Sequence, residues 1–178
     1  MKPIITNLVV FKIAWTVVVL SAAIGLPVFG LAAVAIAVGV HVAMSKDRQS
    51  EVLLLTTAAI MGLGWESALV ATGLVSYPSG NWVPGMAPYW IVSMWVLFAT
   101  TINVGMRWLR RSVPIAVVAG ALGGPMAFFA GSSLGAVNFS STALALTAIG
   151  LGWAVLLPLL VHVARRLDGQ RKPVAQAA

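Results

Sequence analysis

Residues 51–75 read EVLLLTTAAIMGLGWESALVATGLV, an apolar run that is long enough to cross a bilayer. Between Val52 and Val75 this run contains one ionisable side chain, Glu66. A carboxylate in hydrocarbon is costly, so it is expected to face other helices and to find a partner there. The run therefore predicts a membrane-spanning helix with a functional or structural acid, surrounded by further helices from the rest of the chain.

The composition extends this prediction to the whole chain. Of 178 residues, 60% are hydrophobic and 8% are charged, and the mean hydropathy is +0.99. Soluble domains carry about 25% charged residues, so the chain is expected to be an all-α integral membrane protein. One transmembrane domain (1–164) and a short basic cytoplasmic tail (165–178) are predicted, with six spans at about 4–24, 27–44, 51–75, 88–109, 114–130 and 142–164.

The basic residues alternate along the chain in step with these spans. All of them except Lys12 fall at the N-terminus, in the second and fourth loops or at the C-terminus, whereas the first, third and fifth loops carry none. Basic loops remain on the cytoplasmic side, so both termini are expected to be cytoplasmic. Because the basic residues lie beside span ends, they predict contacts with anionic lipid head groups and no nucleic-acid partner.

Glu66 shares a helical face with small residues, including Gly62 and Gly73, which allow another helix to approach closely. It is interpreted as a site for a ligand, a proton or a cation, or else as a group that only holds the bundle together. Lys12 in the first span is the candidate counter-charge. A Lys12–Glu66 pair would have to bridge about 10 Å of depth; the alternative is that Lys12 reaches the cytoplasmic interface.

Other candidate ligand-binding residues lie nearer the cytoplasmic side. Thr100, Asn103 and Arg107 share one face of the fourth span. Asn103 is favoured as a hydrogen-bond clamp between helices; with Arg107 it would instead bind an anionic head group or a carboxylate. His41 ends the second span, where the helix dipole favours histidine. No metal site is expected, because no third ligand has suitable spacing.

The sequence shows no soluble-type catalytic motif, and it has no cysteine for thiol catalysis or iron–sulfur clusters. No cofactor is expected, and an enzymatic activity stays open. Gly62-Leu63-Gly64-Trp65 recurs as Gly150-Leu151-Gly152-Trp153, which hints at a weak inverted repeat of three plus three spans. Gly123-Gly124-Pro125 is expected to break the fifth span, more often as a kink than as a ligand site.

Several stretches together resemble a family of small six-span bacterial inner-membrane proteins catalogued as a domain of unknown function (number 2878). The most specific is Leu97-Phe98-Ala99-Thr100-Thr101-Ile102-Asn103. The family pattern has an amide at the position of Lys12 and an aspartate at that of Glu66. The resemblance thus implies an acid at this point of the bundle but not a Lys–acid pair, and a location in the bacterial inner membrane. The stretches that carry the resemblance are 11–15, 41–51, 65–67, 87–90, 95–103, 108–109, 120–125, 130–131 and 134–136.

Three functions are compatible with these observations. The first is binding or transport of a small molecule or a lipid-related ligand in the bundle around Glu66. The second is a membrane enzyme acting on a lipid or isoprenoid-like substrate, with Glu66 as acid or base and Asn103 and Arg107 orienting an anionic group. The third is an accessory membrane subunit in which the polar residues only serve packing.

Overall fold

The computed structural model describes residues 2–170, with side chains from residue 4 onward. This part of the chain forms a helical bundle with one short pair of strands between two of its loops. Five of the helices, all except α4, are long and apolar enough to span a membrane. The elements are α1 (Lys2–Ala23), α2 (Pro27–Met44), α3 (Arg48–Ala71), β1 (Val75–Ser76), α4 (Tyr89–Ile102), a 3-10 helix (Arg107–Arg111), α5 (Val113–Ser133), β2 (Asn138–Phe139) and α6 (Thr142–Arg166).

Packing divides the helices into a group of four and a hairpin. In the first group α4 contacts α1, α2 and α3, whereas α5 packs most extensively against α6. Gly120 and Gly124 make that close approach between α5 and α6, because a Cβ at either position would overlap Trp153. Ala116, Gly120 and Gly124 are spaced four residues apart and are all buried, and such a row of small residues is typical of helix packing in membranes.

The loops gather at two ends of the bundle. At one end β1 and β2 pair antiparallel, and Ser79 Oγ donates to Ala22 O at 2.7 Å. At the other end the backbone N–H groups of Lys46 and Asp47 both donate to Gly169 O at 2.9 Å. This second end, here called the basic end, collects the basic segments that the sequence places in the second and fourth loops and after the sixth span.

The fourth helix is shorter than the sequence predicts. A span at 88–109 was expected, but α4 ends at Ile102 after 14 residues, or about 21 Å. Met106 N–H donates to Thr101 O at 2.8 Å, which turns the chain before the 3-10 helix begins. Asn103 and Arg107 therefore lie beyond the end of α4, so the expectation that they share a helical face with Thr100 is wrong.

The fifth span is not interrupted at Gly123-Gly124-Pro125, because α5 continues through these residues. Proline lacks an N–H, so Pro125 leaves the carbonyl of Ala121 without its helical donor. That carbonyl and the Pro125 ring lie against Gly150 of α6, at the position that a side chain would fill. Close packing against α6 thus accommodates the proline in a continuous helix.

Asp47 fixes the start of α3. Asp47 is the N-cap, and its carboxylate accepts the Ser50 N–H at 3.2 Å and the Ser50 hydroxyl at 2.6 Å. These hydrogen bonds lower the pKa of Asp47 below its ordinary value. The helix consequently begins at Arg48, three residues before the start of the predicted span, and ends at Ala71, four residues before the end of that span.

The loop between β1 and α4 has two kinds of aromatic residue. The sequence places Tyr77, Trp82, Tyr89 and Trp90 near one another, which predicts an aromatic belt at a membrane interface. Trp82 is indeed 66% exposed. Tyr77 and Trp90 are instead buried, with their rings in an edge-to-face contact at 5.4 Å. The loop therefore turns back into the bundle, where its buried polar groups find protein partners.

Candidate functional site

A cavity of about 560 Å³ lies between α1, α4, the 3-10 helix, α5 and α6. It opens at the surface, because two of its lining residues, Met126 and Trp108, are exposed. Its volume is in the range of pockets that hold drug-sized ligands. The walls are mainly apolar and rich in aromatic side chains: Phe11, Trp15, Trp90, Trp95, Phe98, Trp108, Phe128 and Trp153.

Glu66 is the one acidic residue that lines this cavity. Its side chain is fully buried, and each of its oxygens accepts a hydrogen bond from a neutral donor. Trp95 Nε1 donates to Oε1 at 2.9 Å, and the Tyr77 hydroxyl donates to Oε2 at 2.8 Å. Burial raises the pKa of Tyr77 well above its ordinary value, so the phenol keeps the proton that it donates.

Glu66 reaches this position through the packing of α3 on α4. A Cβ at Gly62, one helical turn earlier, would overlap the Trp95 ring, so the glycine allows the indole to lie close to α3. The same indole supplies a hydrogen bond to Glu66. The expected close approach of another helix is confirmed at Gly62, and the seam between α3 and α4 borders the cavity. Gly73 lies beyond the end of α3 at Ala71, so the expectation that it shares this helical face is wrong.

Lys12 lines the same cavity from α1 and is exposed at its margin. Its Nζ lies 4.3 Å from the centroid of the Trp15 ring, a cation–π contact. The ion pairs among the described residues are His41–Glu51, Arg107–Asp168 and Arg110–Asp168, so Lys12 has no acidic partner in this part of the chain. Lys12 and Glu66 thus share the cavity without forming an ion pair.

An aromatic stack forms part of the cavity wall beside Glu66. Trp95 and Trp153 are stacked with ring centroids 4.6 Å apart, and Phe98 meets Trp153 edge-on at 5.4 Å. Trp153 Nε1 is buried and has no hydrogen-bond partner within residues 2–170. The wall therefore contains a buried indole N–H that is unpaired within this part of the chain.

The other predicted residues belong to a separate group at the basic end. This basic-end cluster consists of His41, Ser45, Glu51, Asn103, Arg107, Arg110, Asp168 and Gln170. Its most buried ion pair joins His41 Nε2 to Glu51 Oε2 at 2.9 Å, and Glu51 is fully buried. Gln170 Nε2 donates to Glu51 Oε1 at 3.0 Å and to Ser45 Oγ at 2.9 Å.

The chain after α6 completes this cluster. Asp168 accepts from Arg107 Nη2 at 3.0 Å and from Arg110 Nη1 at 2.9 Å. Asn103 Nδ2 donates to Leu167 O at 2.9 Å. Residues 165–170 were expected to belong to a tail, but Arg165 and Arg166 end α6 and residues 167–170 are bound to the bundle. The remainder of the predicted tail, 171–178, lies outside the described residues.

The structure therefore divides the six candidate residues. Lys12 and Glu66 meet at the cavity, whereas His41, Asn103 and Arg107 meet at the basic end. Thr100 is buried in α4, where its hydroxyl donates to Leu97 O at 2.7 Å. Within residues 2–170 no three histidine or acidic side chains come together as a metal site.

Sequence reasoning missed several contributors to both groups. Asp168, Glu51 and Gln170 were not singled out, and Tyr77 was placed at an interface. For Glu51 a signal was present, because His41 lies ten residues earlier across a short polar loop. Asp168 carries no comparable local signal, since its two arginine partners lie 58 and 61 residues away.

Comparison with known proteins identifies the family of the chain. A family model described as "Protein of unknown function (DUF2878)" matches residues 4–159. The chain belongs to this family. The DUF2878 match includes Lys12, Glu66 and every other residue that lines the cavity, and it ends before Asp168 and Gln170. No curated protein and no solved structure matches the chain.

Membership of DUF2878 supports a membrane protein of unknown activity, in agreement with the apolar helices. The family description assigns no substrate and no reaction. A functional interpretation of this chain must therefore come from the two groups of side chains described above.

Proposed function

We propose that this protein binds a hydrophobic, lipid-related molecule in the aromatic cavity, as a multi-pass protein of the bacterial inner membrane. The observation that carries the proposal is a cavity of about 560 Å³ with eight aromatic side chains in its wall and one carboxyl group, Glu66. Ligand pockets combine such apolar walls with a few convergent polar groups. Glu66 supplies a hydrogen-bond acceptor or a proton at one point of an otherwise mainly apolar cavity wall.

The proposed topology has a single domain of six crossings with both termini in the cytoplasm. It is supported by the collection of basic segments at one end of the bundle and by their absence from the other end. An inverted repeat of three plus three spans is kept in the proposal. Its support is that Trp65 of the first Gly-Leu-Gly-Trp stretch packs over Gly152 of the second.

The position of the cavity favours a ligand that comes from the bilayer. α1 packs on α2 and α4, whereas α5 packs on α6, and the cavity lies between these two groups. Exposed apolar residues of α5, including Met126, form part of its margin. A lipid-related molecule would therefore enter sideways between α1 and α5, without crossing the polar surface of the membrane.

The proposal is tested by ligand stabilisation of the full-length protein in a neutral detergent. A lipid extract from the expression host is added, and the thermal unfolding midpoint is measured for the wild type and for Glu66→Gln. Binding to the folded state at 100 times the Kd contributes about 2.7 kcal/mol. We expect the extract to stabilise the wild type and to have much less effect on Glu66→Gln.

The variant is designed to fold. Its amide oxygen can accept from Trp95 Nε1, and its amide NH₂ can donate to the Tyr77 oxygen, so both hydrogen bonds of the site survive. Asp47→Asn, the same change at the basic end of α3, is the matched control and should respond to lipid like the wild type. If the extract leaves the wild type unchanged, or stabilises Glu66→Gln equally, the proposal fails and an accessory role gains support.

A further inference from the structure

Lys12 is placed where a cation is costly. It is ten residues beyond the start of α1, about 15 Å along a helix of about 33 Å, and therefore near the middle of a segment that is apolar enough to span a membrane. A lysine at the centre of a membrane helix is unfavourable, because its charge is removed from water. The contact with Trp15 lowers this cost, but it does not supply a counter-charge.

All four acidic side chains of the chain have hydrogen-bond or ion-pair partners other than Lys12. Asp47 caps α3 through Ser50. Glu51 pairs with His41 and accepts from Gln170, and Asp168 pairs with two arginines. Glu66 accepts one hydrogen bond at each oxygen, from Tyr77 and from Trp95. None of these four side chains is therefore paired with Lys12, which leaves its ammonium free to bind an anionic group of a ligand.

The shape of the cavity indicates what kind of molecule this is. Its wall on α5 runs from Ala119 to Gly131, about 18 Å along the helix. Glycine and alanine predominate along this wall, so a long groove is left between α5 and the aromatic side chains of α1 and α4. A groove of this length and polarity fits one hydrocarbon chain that lies parallel to the helices.

We propose that the ligand is a single-chain anionic amphiphile whose acid group binds the Lys12 ammonium and whose chain lies along the aromatic wall. This inference rests on the proposed function and narrows its ligand to a class. A carboxylate and a phosphate monoester share the required chemistry, since either places negative oxygens beside the ammonium.

The test uses quenching of tryptophan fluorescence by bromine, because five tryptophans line the cavity: Trp15, Trp90, Trp95, Trp108 and Trp153. The full-length protein in a neutral detergent is titrated with dibrominated stearic acid and with its methyl ester, which has the same chain and no charge. We expect the acid to bind the wild type more tightly than the ester. Lys12→Met should weaken binding of the acid about tenfold, the effect of losing a charged hydrogen bond, and leave the ester unchanged.

Two further variants distinguish the effect of the Lys12 charge from an effect of the substitution on the structure. Lys12→Arg keeps the cation and should retain the preference for the acid. Lys46→Met removes an exposed lysine at the basic end and should bind both probes like the wild type. Displacement of the brominated acid by dodecyl phosphate or by dodecanoate then shows whether the site takes phosphate, carboxylate or both.

The outcomes distinguish this inference from the proposed function. If the wild type binds acid and ester equally, or if Lys12→Met keeps the preference for the acid, the anionic ligand is disproved. The anionic ligand is also disproved if neither probe quenches the fluorescence while the lipid extract still stabilises the protein. In that case the proposed function stands, with a ligand of another class. If neither probe quenches and the extract has no effect, both ideas are overturned.

Discussion

The basic-end cluster and the aromatic cavity both place charged side chains in an apolar bundle, but they differ in how those charges are matched. At the basic end, Glu51 and Asp168 meet His41, Arg107 and Arg110 within 3.0 Å. At the cavity, Glu66 has two neutral donors and Lys12 has a ring face. At the basic end the charged side chains pair with one another, whereas at the cavity the ammonium of Lys12 lies beside an open volume.

This difference separates structural polar groups from candidate functional ones. A buried ion pair whose partners come from distant segments fixes how those segments meet. Gln170 and Asp168 thereby hold the chain after α6 against the loops that follow α2 and α4. A polar group that faces a cavity without a matching partner is instead available to a ligand. The predictions below test this separation by disturbing one region and measuring the other.

The largest effect on stability is expected from Glu51→Ala. The change leaves His41 Nε2 and the Gln170 amide without their buried acceptor, and because each unpaired buried group costs about 1 to 3 kcal/mol, a loss of about 3 kcal/mol is expected. Denaturant titration in detergent micelles measures the loss. Gln49→Ala, an exposed change in the same turn of α3, is the control. A loss below about 1 kcal/mol for Glu51→Ala would show that the basic end does not hold the bundle together.

Asp168→Ala should destabilise the protein less, by about 2 kcal/mol. It removes the acceptor of two arginines, but Arg107 is 38% exposed in its side chain and can be rehydrated. Arg110 also keeps its hydrogen bond to Ala164 O. The same titration gives the value, and lipid stabilisation should be unchanged. A variant that loses lipid binding while remaining folded would contradict the separation of the two regions.

Asp47→Ala tests a weaker contact at the basic end through its pH dependence. Because folding lowers the pKa of Asp47, its contribution is present above the ordinary aspartate pKa and is lost as the pH falls through the lowered value. The thermal midpoints of wild type and variant should therefore differ modestly at pH 7 and converge in acid. Asp47→Asn keeps a cap without a titrating group. The difference in thermal midpoint between Asp47→Asn and Asp47→Ala should therefore be the same in acid as at pH 7.

The smallest effect on stability is expected from Ala127→Trp, which adds a large side chain where the cavity offers space. The free energy of unfolding should change by about 0.5 kcal/mol or less, while lipid stabilisation is lost. Ala35→Trp, on an exposed part of α2 away from the cavity, should change neither quantity. Loss of folding in Ala127→Trp would indicate that the cavity closes in solution.

Much of the fold follows from local sequence. Five helices appear within a few residues of the predicted spans, because long apolar runs end at polar or Gly/Pro-containing loops. The end of α4 was missed, since 104–109 remains mostly apolar and contains no proline. The continuity of α5 through Pro125 could not be predicted locally, because it depends on Gly150 of another helix.

The candidate site was predictable only in part. Glu66 was found from its isolation in an apolar run, and its small-residue face correctly predicted a seam. Its donors could not be identified, because Tyr77 comes from a loop that turns inward and Trp95 from a neighbouring helix. The basic-end cluster depends on contacts between residues far apart in sequence, which no local pattern reveals.

The shortness of α4 has a consequence for how the chain is made. A segment of 14 residues is below the roughly 20 needed to cross the hydrocarbon on its own. As the ribosome delivers it to the insertion machinery, α4 would therefore gain little by partitioning alone, and its retention would depend on α3 and on the arginines of the 3-10 helix that follows. A stable position of α4 in the membrane is thus expected to require α1, α2 and α3, against which it packs.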